Sequence, residues 1–158
     1  MMRYILSIFT VAILFFGCKK DKFTTVPQIT FKSVIPNVWL STNTAFQKDF
    51  APVLTIRVTD AEGDLGLKVG KDTSLVYVKN LVSNAIDSSQ LLPDIGTSAK
   101  PDFQADIAIN LFSVMGGKPG VTTRPRVDTL YFEVYIKDFA KNKSNVIKTS
   151  DPVFYIVQ

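Results

Sequence analysis

The chain predicts an all-β protein, on three observations. From Pro27 onward it is built of short runs rich in Val, Ile, Phe, Tyr and Thr, the residue types that suit a pleated, half-buried surface. Several runs alternate apolar and polar residues, the period of a strand with one buried face. Clusters of Gly, Pro, Asn, Asp and Ser separate them, and no stretch of the mature region keeps a helical period.

Taken in order, strands are expected at Gln28 to Ile35, Val53 to Thr59, Ser74 to Val82, Phe103 to Phe112, Thr129 to Lys137 and Asn145 to Val157, with a further short one around Ser88 to Leu92. In the second of these Leu54, Ile56 and Val58 alternate with Val53, Thr55, Arg57 and Thr59. In the fifth, Leu130, Phe132, Val134 and Ile136 form a core face, and Tyr131, Glu133, Tyr135 and Lys137 form the opposite one. That outer face makes Tyr131 and Tyr135 candidate ligand-binding residues, with cross-strand packing as the plain alternative. Ser150-Asp151-Pro152 interrupts the last run, and proline donates nothing to a ladder, so an edge or a bulge is expected there. About seven short strands with turns between them imply an immunoglobulin-like or fibronectin-type β-sandwich over residues 27–158.

Before the strands comes a different kind of sequence. Met1-Met2-Arg3 carries one positive charge, Tyr4 to Phe16 is almost wholly apolar, and Gly17 precedes the chain's single cysteine. These are the parts of a secretory signal, and the run is too short for a permanent span of ~20 apolar residues. Leu14-Phe15-Phe16-Gly17-Cys18 resembles the lipobox of bacterial lipoproteins. The resemblance implies a signal peptide over residues 1–17, a covalent lipid on Cys18 and a lipidated tether over residues 18–26. It places the protein in the cell envelope, anchored to the outer membrane on its periplasmic or its surface face. Lys19-Lys20-Asp21-Lys22 makes the start of that tether basic, which suits a position near anionic headgroups or a plain solvated spacer.

Two stretches of the folded part carry a further resemblance. Ile56-Arg57-Val58-Thr59-Asp60-Ala61-Glu62-Gly63-Asp64-Leu65-Gly66 is similar to the strand and acidic turn of Ig-like envelope lipoproteins of the Bacteroidota. Val134 to Asn145 resembles the closing V-x-D-x-x-G-N-x-S-N hairpin of bacterial Ig-like domains, with Ala140-Lys141 where that family usually has Ala-Gly. What this implies is a fold class and a location.

Composition narrows the chemistry. Of 158 residues 46% are hydrophobic and 20% charged, which is the balance of a globular domain. The net charge of +4 is scattered along the chain, so no nucleic-acid partner is expected. There is no histidine, and the cysteine is assigned to lipid. Zinc sites of His and Cys, disulfides and imidazole-assisted nucleophiles are thereby excluded. The protein reads as non-enzymatic: a module that binds or spaces other envelope components, whether protein or glycan. The loop Met115-Gly116-Gly117-Lys118-Pro119-Gly120 lacks the spacing of a phosphate-binding loop and reads as a turn.

One stretch is a candidate site. Asp60, Glu62 and Asp64 offer carboxylates at every second residue in a turn that Gly63 and Gly66 let bend, the way a chain collects hard oxygen ligands for calcium. It is no EF-hand, because Leu65 and Lys71 stand where that loop needs glycine and glutamate. In an Ig-like sandwich the loops after the second and sixth strands share one end, which would bring Asp138 and Asn142 to the acidic turn. The alternative is a solvated turn in which Asp60 and Asp64 accept backbone hydrogen bonds. Trp39, the only tryptophan, is a candidate for stacking on a sugar ring, giving a glycan-binding accessory lipoprotein as the second functional reading; its other place is the core.

Overall fold

The computed structural model describes residues 23–42, 45–66, 73–92 and 101–158. The leader, Cys18 and the basic start of the tether lie outside the described residues. Within them the chain is all-β: β1 (Gln28–Ile35), β2 (Val38–Leu40), β3 (Val53–Asp60), β4 (Leu75–Asn80), β5 (Ile86–Leu91), β6 (Phe103–Asn110), β7 (Arg126–Leu130), β8 (Phe132–Lys137), β9 (Ile147–Lys148) and β10 (Val153–Val157). Short 3-10 turns occupy Ala45–Phe50 and Phe112–Val114.

The strands form three sheets, ordered β1-β3-β6, β5-β4-β8-β9 and β2-β10-β7. Every pairing is antiparallel except β2 with β10. Alternation decides which face each strand buries. Leu54, Ile56 and Val58 of β3, Val76 and Val78 of β4, and Phe132, Val134 and Ile136 of β8 are buried and belong to one apolar cluster fed by all three sheets. Each such side chain contributes roughly 1.5–3 kcal/mol relative to an exposed one.

In β3, β4 and β8 the inward row closes on a polar residue. Period two carries the row of β3 to Asp60 and that of β4 to Asn80; continued past the end of β8 it reaches Asp138, and all three are fully buried.

The sequence expectation needs four amendments. Ten strands stand among the described residues where about seven were expected. Thr129 to Lys137 is not one strand: β7 ends at Leu130, β8 begins at Phe132, and the two belong to different sheets. Asn145 to Val157 likewise divides into β9 and β10, and β10 is the centre of its sheet, not an edge, because Pro152 lies just outside its ladder. The third new strand, β2, holds Trp39 and is three residues long, too short for alternation to reveal.

In the turn after β8 Lys141 adopts φ +70°, a left-handed conformation that glycine takes most readily. The turn is held by backbone hydrogen bonds in both directions between Asp138 and its neighbours, from Asp138 N–H to Asn142 O at 3.2 Å and from Lys141 N–H to Asp138 O at 3.2 Å. Ser144 then replaces a strand pair, since its N–H donates to Ile136 O at 3.0 Å and its Oγ accepts from Ile136 N–H at 3.0 Å.

Asn145 ties the two larger sheets. Its Oδ1 accepts from Ile29 N–H at 2.7 Å and its Nδ2 donates to Ile29 O at 2.9 Å, so one side chain satisfies the outer edge of β1 as a neighbouring strand would. Asn145→Ala frees both groups near solvent and is expected to cost about 1 kcal/mol. A denaturant midpoint that falls with an unchanged m-value is the result that supports this role.

Candidate metal centre

Asp60 is the last residue of β3, Asp64 follows in the turn, and Asp138 follows β8. The two strands come from different sheets, so their ends are joined here by carboxylates. One carboxylate oxygen from each of the three lies within 4.8 Å of the other two. Phe139 N–H donates to Asp64 O at 3.0 Å, which fixes the acidic turn against the end of β8.

The local geometry follows from the sequence. Gly63 takes φ +63° and its N–H donates to Asp60 Oδ1, so the turn folds back over its own first residue. Asp138 is oriented by Asn142, whose backbone N–H reaches Oδ1 at 2.7 Å and whose Nδ2 reaches Oδ2 at 2.8 Å. Two oxygens are left without any partner: Asp60 Oδ2 and Asp64 Oδ1 are both buried and accept no hydrogen bond.

Electrostatics agree with that geometry. Burial drives the Asp60 carboxyl up to about 6, against the bond from Gly63 and with help from the charges of Asp64, Glu62 and Asp138. The Asp64 carboxyl is also raised, first by burial and then by the charge of Asp138. Like charges held together out of water are unstable unless a proton or a cation joins them.

Of the five residues expected at this site, three converge. Glu62 is exposed and outside the trio, and Asn142 is held beside it, its Nδ2 donating to Asp138. A divalent cation fits the trio on the chemistry of its donors: three carboxylates, two orphaned buried oxygens, and no nitrogen or sulfur. An oxygen-only set of this kind suits a hard cation.

The other predicted residues sit elsewhere. Trp39 is 4% exposed and packs edge-on against Phe112, with ring centroids 6.1 Å apart, so it offers no face to a sugar and leaves the binding set. Tyr131 and Tyr135 lie half-buried on the outer face of the β5-β4-β8-β9 sheet. Tyr135 stacks on Tyr77, directly opposite in β4, at 4.5 Å and 9°. Tyr77 escaped the sequence reading although Val76-Tyr77-Val78-Lys79 alternates and places it outward.

The fold and site together define an all-β protein with a buried carboxylate trio where two of its sheets meet. Comparison with protein-family models, with curated proteins and with solved structures finds no match to this chain.

Proposed function

We propose that the chain is a lipid-anchored, non-enzymatic module of the bacterial cell envelope, an immunoglobulin-like sandwich whose two larger sheets are locked by calcium at Asp60, Asp64 and Asp138. The observation that carries the cation is the pair of buried, unpartnered oxygens of Asp60 and Asp64 beside a third carboxylate. Supporting the sandwich are the strand orders: β1-β3-β6 corresponds to strands A-B-E, and β5-β4-β8-β9 to C′-C-F-G of the immunoglobulin arrangement. The trio then belongs to the loops after B and after F. The apolar leader and Cys18 support the anchor, and a rigid end on a tether suits a spacer or binding module.

Thermal unfolding of the protein from Lys19 onward, in excess EDTA and then in millimolar calcium, tests the lock. An ion at ~100 times its dissociation constant adds ~2.7 kcal/mol to the native state, several degrees in Tm. In Asp64→Asn the shift is expected to vanish while the EDTA midpoint stays level or rises, because one of the opposed charges is gone. An equal midpoint with and without calcium in the parent protein would remove the lock.

The second reading, a glycan-binding accessory lipoprotein, is favoured by one observation, the stacked tyrosines on the outer sheet face.

A further inference from the structure

The outer face of the β5-β4-β8-β9 sheet is charged as well as aromatic. Lys137 and Lys143 are directly opposite one another across an antiparallel bridge. Like charges in that position destabilise a sheet. The Lys137 ammonium lies 5.4 Å from the centre of the Tyr77 ring and the Lys143 ammonium 4.0 Å from that of Tyr135, while Lys148 lies 4.8 Å over Tyr131. Lys79 is on the same face, and the opposing charge there is Glu133, in register with Lys79 on one side and Lys148 on the other. Among the described residues the ion pairs are Arg57–Asp106 and Arg126–Asp128, so none of these four lysines is paired with a carboxylate.

Beside the stack is a depression of about 170 Å³ lined by Tyr77, Lys79, Glu133, Tyr135, Lys143, Ile86 and Val146, so one acidic residue stands there beside two lysines. Ile86 is 67% exposed and Val146 50%. The space is smaller than the ~300–1,000 Å³ that encloses a whole small molecule, so it suits one group of an extended ligand.

We infer that this face binds an acidic saccharide chain, with carboxylates on Lys137 and Lys143 and the apolar side of one sugar ring against Ile86, Val146 and the tyrosine edges. The inference rests on the glycan-binding reading and deepens it. Tyr77 and Tyr135 stack on each other and each ring carries an ammonium, so a neutral sugar meets no bare ring, whereas an anion meets cations that the fold has left opposed. A peptide strand could pair only at the edges, β5 or β9, and not over the tyrosine stack and its ammonium groups, because β4 lies between β5 and β8, and β8 between β4 and β9. A bilayer is flat and would leave the depression unfilled.

The test is titration of the full chain in detergent and EDTA, which silences the cation site, with polygalacturonate, dextran and polyglutamate of matched charge. Polygalacturonate is expected to bind and to weaken with salt. The double variant Lys137→Gln/Lys143→Gln is expected to lose about tenfold in affinity with an unchanged or higher Tm. The double variant Lys48→Gln/Lys118→Gln, with the same net charge, is expected to keep its affinity. Equal loss in both variants, tighter binding of polyglutamate, or no binding at all overturns the inference. Binding of dextran alone overturns it too, while leaving the glycan reading in place.

Discussion

In excess EDTA the protein is expected to lose stability as the pH rises from about 4 to 7, and in millimolar calcium to gain it over the same range. The first slope follows from Asp60. Its carboxyl titrates near 6 in the folded chain and near ~3.9 when unfolded. A raised pKa means that the native state holds the proton more tightly, so stability is greatest below about 4 and is lost as the pH climbs through 6. Two units correspond to roughly 3 kcal/mol, and Asp64, raised in the same direction, adds to the slope. Calcium reverses the sign, since it binds deprotonated carboxylates and competes with the protons. The two curves of stability against pH therefore meet near 4 and separate by several kcal/mol at 7. Asp60→Asn is expected to flatten both. A parent protein whose EDTA curve rises with pH would show that Asp60 is not held charged and dry at neutral pH.

The same residues show what the sequence could and could not reveal. Leu54-Ile56-Val58 and Phe132-Val134-Ile136 were legible as buried rows because alternation is a local property. Extending either row by one step of two gives Asp60 or Asp138, and that step is the signal that these carboxylates face inward. Spacing in the turn alone favoured Glu62 as strongly as its neighbours; its exposure depends on Gly63 folding the chain back onto Asp60. Asn142 resembles an oxygen ligand in sequence, yet its side chain and backbone both donate to Asp138.

The changes of sheet at Tyr131 and across Ser150-Asp151-Pro152 were less legible, although the interruption at Pro152 itself was read. Continuous β-forming residues do not record a change of sheet, which is set by partners far along the chain. Leu81 N–H bonds Tyr131 O at 2.9 Å, and Thr149 N–H bonds Phe132 O at 2.9 Å, and neither contact has a local pattern. Tyr77 had such a pattern, and the Tyr77–Tyr135 stack follows once β4 and β8 are known to be neighbours.

Asn80→Ala is expected to be the most damaging single change outside the apolar core. Asn80 ends the inward row of β4 and is fully buried. Its Nδ2 donates to Val114 O at 2.9 Å and Gly116 O at 3.0 Å, and its Oδ1 accepts from Val82 N–H at 2.8 Å and Ser83 N–H at 3.1 Å. One amide thus shapes the turn between β4 and β5 and fastens the loop after the Phe112–Val114 turn to it. Truncation leaves four backbone groups in need of partners, at about 1–3 kcal/mol for each one that water cannot reach. With part of the turn near solvent, a loss of about 3–4 kcal/mol is expected, on the order of 10 °C in Tm. Asn80→Asp separates the two halves of the role. Its carboxylate still accepts from Val82 and Ser83 but faces the carbonyls of Val114 and Gly116 with no hydrogen to give. It should be as unstable as the alanine variant at pH 8 and recover in acid, where a protonated Asp can donate once. Equal stability of Asn80→Asp at both pH values, relative to the parent, would mean that the bonds to Val114 and Gly116 contribute little and that the turn alone needs Asn80.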